Sequence, residues 1–203
     1  GYLKNWWYTE DTYWRYVPYH SEVQHNMQGD EINIIGQYDL TFRLPPVPYE
    51  GTYELRICAP QIQHFGMFQV YLGTDRLNPT PIGLPLDFRI ASSNPNIGWE
   101  PDVDDVEINR EIDKRMRNHG YMKNNKHGGI PAAGSTVTAS LRSASGDYIR
   151  LRKILWSGTM KPDEEYFVRI KSVLNNTRTC CMLDYFEIVP RSVYAGEEVE
   201  DPW

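Results

Sequence analysis

The 203-residue sequence has no long apolar run and no concentrated basic patch, and each absence argues against a class of protein. No stretch approaches the roughly 20 consecutive apolar residues of a membrane-spanning helix. The formal net charge of -6 argues against nucleic acid as a partner, because neutralising phosphates requires clustered lysine and arginine. The short basic cluster of Lys123, Lys126 and His127 is interpreted as a solvated loop.

Cysteine is scarce, and its three copies form no metal-ligand pattern. An odd count leaves at least one thiol unpaired within a single chain. A bridge between the neighbours Cys180 and Cys181 would be strained, so we expect free thiols, with a bridge from either one to Cys58 as the alternative. Neither a CxxC pair nor a Cys/His set appears, which argues against a structural zinc site.

Catalytic motifs are absent as well. The sequence has no GxSxG element and no phosphate-binding glycine loop followed by lysine. Acidic residues are plentiful, but no pair of carboxylates is marked out for glycosidic cleavage. We therefore predict that the chain is not an enzyme.

What the sequence does contain is a two-residue alternation of apolar and polar side chains. In one run Tyr53, Leu55 and Ile57 share one parity, while Glu54 and Arg56 take the other. The same period recurs in MFQVYL, residues 67–72, and in YFVRIK, residues 166–171. Because successive strand residues face opposite sides of a sheet, this period indicates strands with one buried and one solvated face. It predicts an all-β antiparallel sandwich with long loops.

One segment follows a helical period instead. Ile108, Ile112 and Met116 recur at every fourth position, which predicts one short helix between residues 104 and 118. Asp104 or Asp105 is expected to cap its start. We divide the chain into an aromatic-rich segment packing on the sandwich (1–28), the sandwich itself (29–195) and an acidic tail (196–203).

Several runs together resemble a known family. They are GTYELRI, FQVYLGT, GLPLDFR, EIDKRMRNHGYMK, LRKIL, YFVRIKSV and LDYFEIVP, of which RMRNHGYMK is the most distinctive. Over residues 14–193 the chain resembles the C-terminal domain of fasciclin-like, cell-adhesion surface lipoproteins of Bacteroides and its relatives. The resemblance implies a jelly-roll, galactose-binding-like fold at the cell surface, facing outward from the outer membrane. It implies attachment to the membrane only through an upstream lipid anchor, and it brings no catalytic residues.

Candidate ligand-binding residues follow the predicted helix. Arg117, His119, Tyr121 and Lys123 combine donors for sugar hydroxyls or carboxylates with a ring on which a pyranose can stack, and Trp99 offers a second ring. Trp7, in the aromatic start of the chain, is a further candidate for stacking. The same cations are also ordinary at a helix C-terminus, so capping is the alternative interpretation.

Acidic residues suggest two places for calcium. Asp184 shares parity with apolar residues of the last strand, and a buried carboxylate must be paired or bound to a cation. The resemblance to carbohydrate-binding jelly rolls implies a structural calcium near this position, and an arginine partner is the alternative. Asp102 and Asp104 lie in the acidic run PDVDDVE, where helix capping is the alternative.

Together these features predict a non-catalytic adhesion or binding module whose partner is a glycan or a cell-surface protein. The aromatic surplus of six tryptophans and fourteen tyrosines favours glycan, since sugar rings stack on aromatic faces. The alternative is a structural domain that packs on neighbouring fasciclin-like domains through its tryptophan-rich start.

Overall fold

The computed structural model describes residues 3–8, 10–17, 31–60, 66–123, 150–174 and 180–193. The strands in these ranges are β1 Leu3–Tyr8, β2 Tyr13–Val17, β3 Glu31–Ile35, β4 Tyr38–Arg43, β5 Gly51–Pro60, β6 Met67–Gly73, β7 Thr80–Asp87, β8 Tyr121–Lys123, β9 Arg150–Met160, β10 Phe167–Ser172, β11 Cys180–Leu183 and β12 Tyr185–Pro190. The helix α1 spans Val106–Asn118, and a 3-10 turn, Arg191–Val193, follows β12.

The strands form three antiparallel sheets. Sheet A has the order β1-β4-β10-β6-β7, sheet B the order β11-β3-β2, and sheet C the order β12-β5-β9-β8. Their inner faces share one hydrophobic cluster, to which Leu40 and Val70 of sheet A, Ile34 of sheet B, and Leu55 and Ile57 of sheet C contribute. The prediction of an all-β sandwich with one short helix is confirmed.

The strand β7 begins earlier in the structure than the sequence predicts. The sequence predicts a short strand only at residues 86–90, after a proline-rich passage. The structure instead forms β7 across Pro81 and Pro85. β7 lies at the edge of sheet A. An edge strand has no neighbour on its solvent side, so a proline, which lacks the backbone N–H, is tolerated there without loss of a hydrogen bond between strands.

The alternation near the end of the chain predicts one strand at residues 179–189, which the structure divides into two strands. Cys180–Leu183 pairs with β3 in sheet B, and Tyr185–Pro190 pairs with β5 in sheet C. Asp184 is therefore the point where the chain changes sheets; Met182, Phe186 and Ile188 on either side of it pack against the main core, and Oδ2 of Asp184 is buried. The strand expected at 135–141 and the tail at 196–203 lie outside the described residues.

Helix α1 agrees with its predicted position. Asp105 is the N-cap, and its Oδ1 accepts hydrogen bonds from the backbone N–H of Glu107 and Ile108. Ile112 and Met116 are buried in a small second cluster with Ile97 and Leu151, whereas Ile108 is exposed, so the predicted apolar stripe is shorter than expected. No helix in the described ranges is long and apolar enough to cross a membrane.

The aromatic start of the chain forms strands but not core. β1 pairs with β4 in sheet A, and β2 pairs with β3 in sheet B. Six of its side chains are 37–62% exposed: Trp6, Trp7, Tyr8, Tyr13, Trp14 and Tyr16. The expected packing on the sandwich is therefore made by backbone pairing, while these rings remain at the surface. Elsewhere, Cys58, Cys180 and Cys181 are buried and form no disulfide bond, as the leading expectation had it.

A group of charged side chains is buried at sheet C. Arg56 of β5, 1% exposed, donates from Nε and Nη2 to Oε2 of Glu54 at 3.0 and 2.7 Å. Its Nη1 donates to Oε2 of Glu187 on β12 at 3.1 Å. Arg117 of α1 donates to the other oxygen of Glu54 at 2.7 Å. These bonds tie the helix to the sheet.

Candidate functional site

The outward face of sheet A carries two rows of side chains that run across neighbouring strands. One row consists of Asn5, Thr41, Arg169 and Tyr71, and the other of Trp7, Asp39, Lys171 and Gln69. The alternate row, with Leu40, Ile170 and Val70 in register, is buried in the core. Strand alternation thus brings aromatic, cationic and hydrogen-bonding groups together on the opposite side.

An arginine held by a carboxylate lies at the centre of these rows. Arg169 donates from Nε to Oδ1 of Asp39 and from Nη2 to Oδ2, both at 2.6 Å. These hydrogen bonds raise the pKa of Arg169 above its ordinary value. The guanidinium carbon lies 4.9 Å from the ring centroid of Tyr71, a cation–π contact. Asp39 and Tyr71 together fix the plane of the Arg169 guanidinium.

A cleft of about 180 Å³ opens above this pair. Trp7, 54% exposed, and Trp6 line it from β1, the edge strand, while Arg76 and Leu77 line it from the β6–β7 connection. Asn5 and Thr41 complete its lining. The cleft therefore lies between two surface segments, on the outward face of sheet A.

The β6–β7 connection is held in shape by one side chain. Asp75 accepts hydrogen bonds from the backbone N–H of Leu77 at 2.8 Å and from Nδ2 of Asn78 at 3.0 Å. The Asn78 and Leu77 hydrogen bonds lower the pKa of Asp75. This local side-chain-to-backbone turn sets the positions of Arg76 and Leu77 at the cleft.

Chemically, the cleft combines an apolar ring with oriented polar groups. An exposed tryptophan offers a face to the C–H groups of a sugar ring, while hydroxyls at the rim of the sugar require donors and acceptors. Asp39 and Arg169 supply acceptor and donor groups within the same cleft as Trp7. The tryptophan ring and the polar groups line one cleft, so a single small polar ligand can contact both.

The helix-end residues predicted to bind ligand are engaged elsewhere. Arg117 is buried against Glu54, and Lys123 is fully buried with its Nζ 2.7 Å from Oδ1 of Asp102. Both side chains contribute to ion pairs inside the fold. Their role in binding stays a prediction, but the structure does not present these two cations on an open surface.

The aromatic candidates near the helix end are half-buried. Trp99 and Tyr121 pack against the small cluster under α1, and the amine of Lys153 lies 3.9 Å from the Tyr121 ring centroid. His119 is exposed and caps the helix, and its carbonyl accepts a hydrogen bond from Lys153 Nζ. Burial lowers the pKa of Lys153 to about 8. Trp7, on sheet A, is the predicted residue that lines the cleft.

The proposed calcium ligands are not brought together. Within the described ranges, no group of three or more His, Cys, Asp and Glu is arranged to hold a metal ion. Asp102 pairs with Lys123, Asp184 lies between β11 and β12, and Asp104 is exposed before α1. The acidic run supplies the cap of α1 through Asp105, which was the alternative interpretation.

The central pair of the cleft was not among the predicted site residues. Asp39 and Arg169 are 130 residues apart in sequence. The polar parity of Arg169 and Lys171 in YFVRIK indicated that both side chains face outward. What the sequence did not contain was the strand order that places β4 between β1 and β10.

Comparison with known proteins adds little. No protein-family model matches the chain, and no curated protein matches it. Among solved structures, the chain is similar to a xanthan lyase of Paenibacillus, with a TM-score of 0.47 and 13% identity. The match covers 93% of this chain and 12% of that chain, so the similar region is about an eighth of the lyase.

This comparison corrects one prediction. The sequence led us to predict that the chain is not an enzyme, and the matched structure is that of a protein titled a lyase. The exclusion of enzymes is therefore withdrawn. A match at this TM-score and identity does not assign lyase activity to the chain.

Proposed function

We propose that the chain binds glycans through the cleft on sheet A. The observation that carries this proposal is the position of Trp7. Its half-exposed ring borders the same cleft as the Asp39–Arg169 pair. A solvent-exposed ring beside preorganised polar groups is the combination that a pyranose requires, with C–H groups against the ring and hydroxyls on the polar side chains.

Rigidity supports the proposal. Arg169 is fixed by two short hydrogen bonds and by the Tyr71 ring, so little side-chain freedom is lost when a ligand binds. The strands beneath the cleft belong to the main hydrophobic core. Sites built on such supported strands hold their geometry better than sites on free loops.

The test is a glycan array with the purified chain, followed by affinity measurement on the best ligand. Trp7→Ala should weaken binding about tenfold or more, as for a central aromatic contact. Tyr13→Ala is the matched control, because Tyr13 is 57% exposed but lies outside the cleft lining. Equal affinity of wild type and Trp7→Ala would reject this site, and a blank array would reject glycan binding.

Protein interaction is a second candidate function, and a different observation favours it. The exposed rings of β1 and β2 continue beyond the cleft to Tyr13, Trp14 and Tyr16. Exposed aromatic surface of this kind is typical of interaction sites. Titration with a fasciclin-like domain, followed by tryptophan emission, tests it. Binding that Trp14→Ala weakens supports the candidate, and no change in emission rejects it.

The cell-surface location implied by the family resemblance is part of the proposal. Limited proteolysis of intact cells that produce the native protein tests this location. Cleavage of the chain without lysis supports an outward-facing position, and protection until the cells are opened contradicts it.

A further inference from the structure

We infer that the ligand of the sheet A cleft carries carboxylate groups, so that the glycans bound are acidic polysaccharides containing uronic acids. This inference rests on the proposed function and specifies its ligand class. It depends on the charges within the cleft, on the geometry of Arg169 and on the opposite sign of the net charge of the whole chain.

The charge of the cleft is positive. Its ionisable lining groups are Asp39, Arg76 and Arg169, and the negative charge of Asp39 is compensated by Arg169. Arg76 makes no ion pair with any residue of the described ranges. The Lys171 ammonium lies beside the same carboxylate at 4.0 Å and is 47% exposed. The lining groups alone, two cations and one carboxylate, therefore carry one net positive charge. Lys171 adds a further cation beside Asp39, and Asp75, next to Arg76 in the chain, interacts electrostatically with Arg76.

Arg169 retains donors for a ligand. A guanidinium has five N–H groups, and Asp39 accepts from Nε and from Nη2, which leaves both N–H groups of Nη1 and one of Nη2. Because Asp39 and Tyr71 fix its plane, these donors have a defined direction. The planar fork of arginine matches the two oxygens of a carboxylate.

The surrounding molecule makes this positive site distinctive. The chain as a whole has a formal net charge of -6, so its total charge repels a polyanion while the cleft attracts one. Arg76 and Trp7 line the same cleft, so its cations are suited to a sugar that carries its charge next to the stacked ring.

The experiment compares polygalacturonate, alginate and hyaluronan with their carboxyl-reduced forms, which keep the sugar backbone and lose the charge. Dextran sulfate is included as a polyanion without carboxylates. Affinities are measured at low and moderate salt, because ion pairs at an exposed cleft weaken as salt is added. We expect at least one uronate polymer to bind about tenfold or more tightly than its reduced form.

Variants then locate the charge effect. Arg76→Gln should lower uronate affinity about fivefold to tenfold and lower affinity for the reduced polymer by a clearly smaller factor, because the reduced form offers Arg76 only hydroxyl groups. Arg43→Gln is the matched control, because Arg43 is an exposed arginine of β4 that pairs with Glu165 and does not line the cleft. Arg76 is at the surface, so its loss does not threaten folding.

The outcomes distinguish failure of the carboxylate inference from failure of the proposed function. Equal binding of the uronate and reduced forms would overturn the carboxylate inference and keep the proposed function. Stronger binding to dextran sulfate, also sensitive to Arg76→Gln, would show that the cleft takes polyanions of another kind, and would overturn the inference. No binding to any polysaccharide, together with a blank glycan array, would overturn both.

Discussion

The buried charges at sheet C show how much a single residue can determine in this fold. Glu54 is 1% exposed and accepts hydrogen bonds from Arg56 and Arg117. A buried ion pair adds little net stability relative to apolar residues, because both charges lose their hydration. Removing one partner is far more damaging, since the remaining charge stays buried without compensation.

We expect Glu54→Ala to lower the free energy of unfolding by about 3–5 kcal/mol, because two arginines lose their carboxylate. Glu165→Ala is the control: it removes an exposed carboxylate from Arg43 and should change stability by about 1 kcal/mol or less. Urea denaturation of both variants measures the difference. Similar small losses in the two variants would show that the remaining partners, such as Glu187 at Arg56, compensate the buried arginines.

Lys153 provides a pH-dependent prediction. Burial lowers its folded-state pKa from 10.5 to about 8, so between these values the unfolded chain binds more protons than the folded chain. The charged amine destabilises the fold below pH 8, and this effect is lost as pH rises from 8 to 10.5. The free energy of unfolding, measured relative to that of Lys153→Met, should therefore rise across this window.

The size of that rise is on the order of 1–3 kcal/mol. Subtracting the variant removes the contribution of tyrosines and other lysines that titrate over the same range. Denaturation of both proteins at four pH values from 7 to 10.5 provides the measurement. A difference that is constant with pH would mean that Lys153 titrates like an exposed lysine.

Single residues also show what sequence reasoning could reach. Trp7 was predicted as a stacking residue from its aromatic surroundings, and it lines the cleft. Arg117 and Lys123 were chosen because cations cluster after the helix, and the fold buries both in ion pairs. The sequence alone does not show whether a cation faces solvent or, like Arg117, faces a carboxylate 63 residues away in the chain.

At the level of elements, the β6–β7 connection links local turn chemistry to the proposed site. Asp75 fixes this connection through Leu77 and Asn78, and the connection in turn carries Arg76 into the cleft lining. The loop is at the surface, so its shape affects binding more than it affects folding.

Asp75→Ala should therefore weaken binding of a uronate polymer about threefold to tenfold, with only a small change in stability, because a loop that must be ordered on binding loses affinity. Asp75→Asn is the conservative control. Asparagine keeps the acceptor for Leu77 N–H but replaces Oδ2, which accepts from Asn78 Nδ2, so it should lose less affinity than alanine. Equal loss of binding in both variants would show that the Leu77 hydrogen bond alone does not maintain the loop.

Elements were predicted where the pattern is local and missed where it depends on partners. The helix and the alternating strands β4, β5, β6 and β10 follow directly from their side-chain periods. The proline-containing strand β7 is possible because it lies at a sheet edge. The chain breaks at Asp184 because β11 before it pairs in sheet B and β12 after it pairs in sheet C. Neither condition can be seen in one segment alone.

At the level of the whole molecule, the cleft depends on global folding. Its lining residues come from β1, β4, β10 and the β6–β7 connection, which span positions 5–169 of the chain. The strands beneath share one core with sheets B and C. A ligand in this cleft should therefore stabilise the sandwich as a unit, because it binds only the assembled sheet.

We expect an oligouronate that binds the cleft to raise the unfolding midpoint of the entire chain. At a ligand concentration 100 times Kd, mass action adds about 2.7 kcal/mol. For a chain of this size that corresponds to about 5–10 °C. Differential scanning calorimetry should show a single transition moving upward with ligand concentration. Trp7→Ala should show a much smaller shift at the same concentration, and Tyr13→Ala a full one. A ligand that bound without moving the transition would place its site away from the assembled sheet.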